Sequence, residues 1–386
     1  MAEYKIREVM NRRDLKKFVR FPDELYKGCR QYVPALHKGQ EHMLMHSASL
    51  EFCKRKMWLA EDADGNVAGR ICCIINPHYN EKYGTRRARF GWFDMIEDIK
   101  VARLLVETAQ EWAADNGMDE LHGPLQYNTF GRQGMLVEGF DKLAPFSCLY
   151  NYPYYVDMME QMGFVKECDW VQYMMPADQG VDDKMKAIAA RMMERYRLHV
   201  ADFDKLKKDK SSFVKFFKAY NASFDGMVHN FIPFTDAEID EEVNDIAGQL
   251  DSRLCCVLMD ENEDVAAFGI AMASLSEAMR KAKGRLFPFG WYHVLKASRN
   301  YEYLDLMLLG AAPKWQNTGI SALFHGIMAE QFRSCGAKWA LANPQIETNS
   351  AVNVWNRYDN ELWLRRRCWI KTLSPSEDNK KMKNSI

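Results

Sequence analysis

The segment PKWQNTGISALFHGIM, residues 313–328, has residue types and spacing that suit the binding of a phosphate. A strand-like apolar run over 301–312 precedes it, and apolar residues at helical spacing follow from Ile320. Gly319 therefore stands where a helix begins, and there the backbone N–H groups are unpaired and the helix dipole is positive. A residue without a Cβ lets a phosphate approach these groups closely. The segment predicts either a phosphate-binding turn or a simple connection between strand and helix.

The overall composition limits the classes of protein to which the chain can belong. A length of 386 residues with 47% hydrophobic content is sufficient for two domains with separate cores. The formal net charge of −1 provides no overall field that would attract nucleic acid or an anionic membrane. No apolar run approaches about 20 residues and the N-terminus is charged, which predicts a cytoplasmic protein without a signal peptide or a spanning helix.

The cysteines and histidines do not indicate a metal site. Two adjacent pairs, Cys72-Cys73 and Cys255-Cys256, lie in strand-like apolar runs where neighbouring side chains point to opposite faces, which predicts reduced residues in a core. No C-x-x-C pair occurs, and His42 and His46 lack the glutamate of the metalloprotease motif. We expect no bound metal.

An internal repeat divides the chain into two similar halves. Residues 58–75 and 256–273 align without a gap, and each segment reads as a hairpin with an acidic turn at Asp62 or Asp260. In both halves a strand with an inner aspartate, a helix and a short strand follow in the same order. The pattern predicts two domains of one architecture.

The residues of the first motif carry a family resemblance. PKWQNTG is similar to the acyl-CoA-binding signature of the GNAT superfamily of N-acyltransferases, in which a proline, an aromatic and a Gln or Arg precede a glycine-containing turn. Pro313, Trp315 and Gly319 match that signature, as does Gln316, whereas Ser321 departs from the usual Gly or Ala. The resemblance implies that acetyl-CoA or another acyl-CoA binds at this turn. The residues that it assigns to cofactor binding there are Gln316, Asn317, Thr318, Gly319, Ile320 and Ser321.

The same resemblance implies the fold class. It covers the second half well and the first half more loosely, and it implies an α+β protein of two tandem domains, each an α/β three-layer structure. In each domain helices flank a mixed, mostly antiparallel sheet. We place the domains at residues 1–176 and 185–373, and we expect the polar tail at 374–386 to be disordered.

Acyl transfer from a thioester to an amine needs a base for the amine, a donor for the oxyanion and a proton for the thiolate. The resemblance implies the base role for Asp305, although a carboxylate there could equally serve a structural pairing. It implies that the backbone N–H of Leu309 is the oxyanion donor. Ala311 shares a strand face with both residues by the two-residue period.

The proton donor departs from the family pattern. Asn349 matches the asparagine through which the family's last helix begins, and the tyrosine often found seven residues later is here Asn356. Tyr358 serves only if the register differs, because two helical positions rotate a side chain by about 200°. Glu347, just before this helix, is the alternative base if Asp305 is structural.

The first half lacks the features of a CoA site. Glu97 and Asp98 occupy the start of the helix that corresponds to the one beginning at Gly319. A carboxylate there caps the helix and would repel a pyrophosphate. We therefore expect one CoA site per chain, in the second half, with the first half forming one wall of the acceptor cleft.

A basic and aromatic segment spans residues 279–300 and contains no acidic residue. It could line a cleft for an anionic acceptor, the 3′-phosphate of CoA or a nucleic acid, or it could be a solvated helix with its aromatics in an interface. Arg86, Arg87 and Arg89 occupy the corresponding place in the first half.

Three function classes follow from these residues. The leading interpretation is an acyl-CoA-dependent N-acyltransferase, in the first instance an N-acetyltransferase, that acts on a small-molecule or peptide amine, including anionic ones. The alternatives are a Fem-like aminoacyl transferase that uses charged tRNA and a noncatalytic acyl-CoA-binding protein. We expect no membrane partner, and the glycine-containing turn argues against nucleic acid. The sequence does not decide the oligomeric state.

Overall fold

The chain forms two compact units. The computed structural model describes residues 3–177, 179, 183–226, 230–316, 318–348 and 359–373. The first unit comprises Met1–Trp170, Met279–Gly290 and the C-terminal segment from Leu364 onward. The second unit comprises Val171–Ala278 and Trp291–Trp363.

Strands and helices alternate along the chain. The strands are β1 (Lys5–Glu8), β2 (Lys54–Glu61), β3 (Val67–Ile75), β4 (Arg87–Met95), β5 (Glu120–Gly123), β6 (Met135–Glu138), β7 (Val165–Pro176), β8 (His199–Val200), β9 (Cys255–Met259), β10 (Val265–Ala273), β11 (Tyr303–Ala311), β12 (Trp339–Leu341), β13 (Gln345–Ile346) and β14 (Glu361–Thr372). The helices are α1 (Arg12–Leu25), α2 (His37–His46), α3 (Pro77–Tyr83), α4 (Ile99–Asp115), α5 (Tyr154–Gln161), α6 (Asp183–Arg195), α7 (Phe203–Leu206), α8 (Lys210–Phe224), α9 (Asp236–Ile246), α10 (Ser276–Ala282), α11 (Gly290–Ala297) and α12 (Ile320–Ser334).

The first unit is built on a mixed sheet. Its strand order is β1-β2-β3-β4-β5-β14-β7, in which β4 and β5 run parallel and the pairs from β1 to β4 run antiparallel. Cys73 packs with α4 in one core cluster and Cys72 packs with α1 in another. The adjacent cysteines therefore lie on opposite, helix-covered faces of β3, and all ten cysteines of the chain are free thiols, as predicted.

The second unit repeats this plan. The end of β7 is followed across the sheet by β12, β11, β10, β9 and β8, and only the pair β11 and β12 is parallel among the pairs with a described register. Helix α12 packs so closely on β10 that a Cβ at Gly269 of β10 would lie 2.3 Å from the ring of Phe324 in α12. Each unit is thus a mixed, mostly antiparallel sheet flanked by helices, which confirms the predicted fold class.

The hairpin turns reproduce the predicted repeat in atomic detail. The carboxylate of Asp62 accepts from the backbone N–H groups of Asp64 and Asn66. The carboxylate of Asp260 accepts from the corresponding groups, those of Asn262 and Asp264. An aspartate that satisfies the N–H groups two and four residues ahead fixes the turn in both halves.

The units differ from the predicted boundaries at their last strands. The end of β7, at Met174–Pro176, pairs with β12 of the second unit. Strand β14, at the end of the second half, pairs with β5 of the first unit, from Trp369 opposite Gly123 to Thr372 opposite Glu120. Residues 279–290 also belong to the first unit, where the N–H of His37 donates to the carbonyl of Gly284. The tail at 374–386, expected to be disordered, lies outside the described residues. Among the described residues, no helix combines the length and the apolar character needed to cross a bilayer.

Candidate functional site

Strands β11 and β12 of the second unit part from each other soon after they meet. They pair over only three residues, from Tyr303 opposite Trp339 to Asp305 opposite Leu341. Beyond Asp305, β11 continues to Ala311 with β10 alone as its described partner, and a bulge at Met307 shifts its register. Such a bulge bends and twists a strand. The result is an opening between two parallel strands.

An apolar groove occupies this opening. Its empty volume is about 560 Å³, which includes space open to solvent. Its walls come from β11, α12, the end of β7 and the residues after it. The lining residues are Met175, Pro176, Ala177, Gln179, Ile270, Leu306, Leu308, Leu309, His325, Met328, Ala329, Phe332 and Ala340. An apolar lining of this kind favours an alkyl chain or pantetheine arm over a charged ligand.

His325 is a titratable residue of the groove lining that the sequence prediction did not include. Burial lowers the pKa of His325 to about 4, so the imidazole is neutral at physiological pH. It lies on the groove side of α12 with Met328, Ala329 and Phe332, at positions i, i+3, i+4 and i+7. That spacing on a helical face was the signal that could have identified it.

Helix α12 begins at Gly319 as predicted. Gly319 has a φ of 89°, in the left-handed region, and no side chain caps the helix. A Cβ at this position would lie 3.7 Å from Cε of Met192, which is ordinary contact, so the backbone conformation rather than space requires the glycine. The prediction that phosphate binds this helix start remains a prediction.

The predicted cofactor-binding side chains are largely engaged with the protein itself. The amide of Gln316 donates to the carbonyls of Ser223 and Ala311, at 3.2 and 3.0 Å. The hydroxyl of Thr318 donates to the carbonyl of Trp315 at 2.6 Å, and Ile320 is buried in the core. These side chains hold the turn in place, which leaves the backbone N–H groups as the donors available to a ligand.

The remaining predicted residues are only partly described. Asn317, Asn349 and Tyr358 lie outside the described residues, and the side chain of Ser321 is not described. Glu347 lies half-buried in the turn after β13. Ala311 is half-buried at the end of β11 and packs against the core of the unit. Among the predicted residues that the structure describes, only Leu309 lies in the lining of the groove.

Asp305 lies buried at the point where β11 and β12 separate. Burial raises the pKa of its carboxyl to about 7, and a hydrogen bond from Ser274 acts in the opposite sense. Its Oδ2 has no hydrogen-bond partner among the described atoms. The carboxyl is not part of the groove lining.

The corresponding carboxylate of the first unit is neutralised. Nε and Nη2 of Arg70 each lie 2.7 Å from Oδ2 of Asp94. The hydroxyl of Tyr26 donates a hydrogen bond to Oδ1 of the same carboxylate at 2.9 Å. Asp98 caps α4 through a hydrogen bond from the N–H of Lys100, which confirms the predicted helix cap. A saturated aspartate and a carboxylate at the helix start are the opposite of the arrangement at Asp305 and Gly319.

The first unit also encloses a polar cavity of about 480 Å³, including space open to solvent. Asp94 and Arg70 line it as an ion pair, and His37 meets Asp23 there at 2.6 Å. Most of its charges are therefore matched by a neighbour.

The arginines that follow the first hairpin do not form a free basic surface. Arg86 is paired with Asp119 at 2.7 Å, and Arg87 is paired with Glu120 and Glu167 at 2.6 and 2.8 Å. Arg89 is buried and donates to two backbone carbonyls. Each of these three arginines is therefore engaged with carboxylates or carbonyls of the first unit.

Three side chains of the first unit have atoms close enough together to hold a metal ion. Nδ1 of His122 and Sγ of Cys368 each lie 3.1 Å from Oε2 of Glu167. Arg87 donates to the other oxygen, and burial raises the pKa of the Cys368 thiol far above its ordinary value. A protonated thiol, a histidine N–H and a guanidinium already satisfy this carboxylate, so the group is a hydrogen-bond network.

Comparison with known proteins places this geometry in a wider context. No protein-family model matches the chain. One match is a GCN5-related N-acetyltransferase from Sphaerobacter thermophilus, which is 11% identical to this chain. The match covers 96% of each chain and has a TM-score of 0.53. It matches a tandem GNAT protein from the clavulanic acid biosynthesis pathway over 97% of itself and 100% of that chain, at 10% identity and a TM-score of 0.55. This chain has the tandem GNAT fold. A further match is the fungal multi-domain β-N-acetylglucosaminidase that contains a GCN5-related glucosamine N-acetyltransferase region. This chain spans 38% of the length of that protein, at a TM-score of 0.57.

Two curated proteins are similar to this chain over nearly its full length. Protein YghO of Escherichia coli is 25% identical over 95% of both chains. The bacterial ceramide synthase of Caulobacter vibrioides is 24% identical over 92% of this chain and 94% of its own length.

Proposed function

We propose that the second unit transfers an acyl group from an acyl-CoA thioester to an amine. The amine nitrogen attacks the thioester carbonyl, the N–C bond forms and the C–S bond breaks. One amine proton passes to a base, and CoA leaves as a thiolate that takes up a proton. The products are an amide and free CoA.

The observation that carries this proposal is the combination of an opening between parallel strands with an uncapped helix start in the same unit. Beyond Asp305, the edge of β11 that faced β12 has no described strand partner and lies beside an apolar groove. Gly319 leaves the start of α12 without a side-chain cap, which suits the CoA pyrophosphate. The tandem GNAT fold of the solved relatives supports acyl-CoA as the cosubstrate.

We further propose that the acyl chain is longer than acetyl. The groove is lined by aliphatic and aromatic side chains over most of its surface, and each methylene that it removes from water contributes about 0.8 kcal/mol. The name of the ceramide synthase relative is consistent with this, since a ceramide is a fatty-acid amide of a long-chain amino alcohol. We therefore propose a fatty acyl donor and a long-chain amine acceptor.

In this scheme Asp305 is the base. A carboxyl with a pKa of about 7 is an effective proton acceptor at neutral pH, whereas an ordinary aspartate is too weak a base. The backbone N–H of Leu309, on the strand edge that lines the groove, is the proposed oxyanion donor. The half-buried His325 would stay neutral beside the acyl chain.

The test is a direct measurement of both products. The protein is incubated with acetyl-CoA, octanoyl-CoA or palmitoyl-CoA and with a panel of amines that includes long-chain amino alcohols. CoA release is followed with a thiol reagent and the amide is identified by mass spectrometry. We expect amide formation with the longer donors, and no acyl-CoA binding by calorimetry would refute the proposal.

A groove variant tests the acyl-length assignment separately. Ala329→Leu adds bulk to the groove wall from α12, so it should lower turnover with palmitoyl-CoA more than with acetyl-CoA. Ala282→Leu is a matched control, since Ala282 is equally buried but does not line the groove. An equal loss with both donors would contradict a groove that holds the acyl chain.

A further inference from the structure

Helix α11 and the residues just before it carry an unusual concentration of exposed apolar side chains. Among the described residues twelve large hydrophobic side chains are exposed, and five of them lie within 287–295. Phe287 and Phe289 are 77% and 73% exposed, and Tyr292 is 54% exposed. Trp291 and Leu295 are nearly half exposed. We refer to residues 281–299 as the aromatic-basic segment.

Three of these side chains share one side of the short helix α11. Trp291, Tyr292 and Leu295 lie at positions i, i+1 and i+4 of α11, which places them within about 100° of one another around the helix axis. Val294 and Ala297, on the other side, are half-buried. Phe287 and Phe289 directly precede the helix in the chain. These apolar side chains therefore project into solvent, whereas large apolar side chains are normally shielded from water.

The charge of the segment complements an anionic surface. Lys281, Lys283, Arg285, Lys296 and Arg299 are all exposed, and no carboxylate among the described residues forms an ion pair with any of them. The segment contains no acidic residue. In a chain of net charge −1 this is a local positive region, unlike the paired arginines of the first unit.

We propose that the aromatic-basic segment binds the surface of an anionic lipid bilayer. Tryptophan and tyrosine rings are favoured at the level of the lipid headgroups, phenylalanine and leucine enter the acyl boundary, and lysine and arginine attract anionic headgroups. This proposal differs from the expectation of no membrane partner, which rested on the net charge and on the absence of a long apolar run. A nucleic acid fits less well, because the exposed set includes an aliphatic leucine and the segment presents a convex helix instead of a groove.

The proposal does not depend on acyl transfer, because membrane binding is measured without any substrate. The full chain is mixed with vesicles of phosphatidylcholine, with and without phosphatidylglycerol, and the bound fraction is measured by co-sedimentation at low and high salt. We expect binding to the anionic vesicles that weakens with salt. No binding to anionic vesicles at low salt would overturn the proposal.

Variants separate the apolar and the electrostatic contributions. Phe287→Ser with Phe289→Ser alters only highly exposed side chains, and we expect at least a tenfold lower partition coefficient. Replacing the five exposed basic residues with glutamine should abolish the preference for phosphatidylglycerol. Met10→Ser with Met45→Ser is the matched control, because both methionines are exposed outside the aromatic-basic segment, and it should bind as the wild type does.

Two other results would refute a bilayer as the partner. One is unchanged vesicle binding by the Phe287→Ser, Phe289→Ser protein. The other is that the wild type does not bind vesicles but shows concentration-dependent self-association or RNA binding, and that this variant abolishes that interaction. Sedimentation velocity and a fluorescent RNA oligonucleotide are the probes for these two outcomes.

Discussion

Replacing Asp305 with asparagine should make the protein more stable above neutral pH and less active. The side chain is 6% exposed, and burial raises the pKa of its carboxyl from 3.8 to about 7. A neutral amide of the same size removes the cost of burying a charge. The same change removes the basicity that proton transfer needs.

The magnitude follows from the linkage between proton binding and folding. Between pH 4 and 7 the unfolded chain carries an ionised Asp305 whereas the folded protein keeps it protonated. The free energy of unfolding therefore falls as pH rises through this window, by a total of up to about 4 kcal/mol. Asp305→Asn does not titrate, so its advantage over the wild type is absent at pH 4 and reaches its full value above pH 7.

The assay is urea denaturation of both proteins at pH 4.5 and pH 8, with turnover measured at pH 8. We expect Asp305→Asn to gain stability only at the higher pH and to lose about a hundredfold in turnover. Asp94→Asn is the matched control, because Asp94 is ion-paired with Arg70, and breaking a buried pair typically costs about 3 kcal/mol. An Asp305→Asn protein that is less stable at pH 8 would refute the electrostatic reasoning, and full turnover would refute the base.

Further predictions concern the helix starts and the strand pairing. Gly319→Glu should abolish acyl-CoA binding in calorimetry while the circular dichroism spectrum is retained, because it places a carboxylate where the pyrophosphate is proposed to bind. Asp98→Ala should lower the free energy of unfolding by about 1 kcal/mol in urea without changing acyl-CoA affinity. Titration of the wild type should reach one acyl-CoA per chain, and a stoichiometry of two would contradict the asymmetry between the units. A fragment of residues 1–176 lacks β14, so it should not show a cooperative unfolding transition.

The features that the sequence predicted correctly are those set by local chemistry. The turns at Asp62 and Asp260, the start of α12 at Gly319 and the cap at Asp98 each depend on a few consecutive residues. A helix cap or a tight turn is decided by side chains within about four positions, so the pattern is visible in one sequence.

The features that the sequence did not predict depend on distant partners. Gln316 looked like a ligand contact, but its amide is held by the carbonyl of Ser223, 93 residues away. The pairing of β7 with β12 and of β14 with β5 depends on which strand edges meet, and the hydrophobic pattern of a strand does not specify its neighbour. The membership of residues 279–290 in the first unit is a long-range contact of the same kind.

The pairing of β5 with β14 has a consequence for how the protein is made. Ribosomes deliver the N-terminal half first, yet one neighbour of β5 is β14, which lies in the second half of the sequence. During translation of the 237 intervening residues, 124–360, the edge of β5 is a vacant template for pairing, and vacant edges promote aggregation and misassembly. The first unit thus reaches its complete sheet only after β14 has been synthesised, so its folding in the cell is limited by the time of synthesis. Chaperones that shield exposed strand edges would be expected to act in that interval.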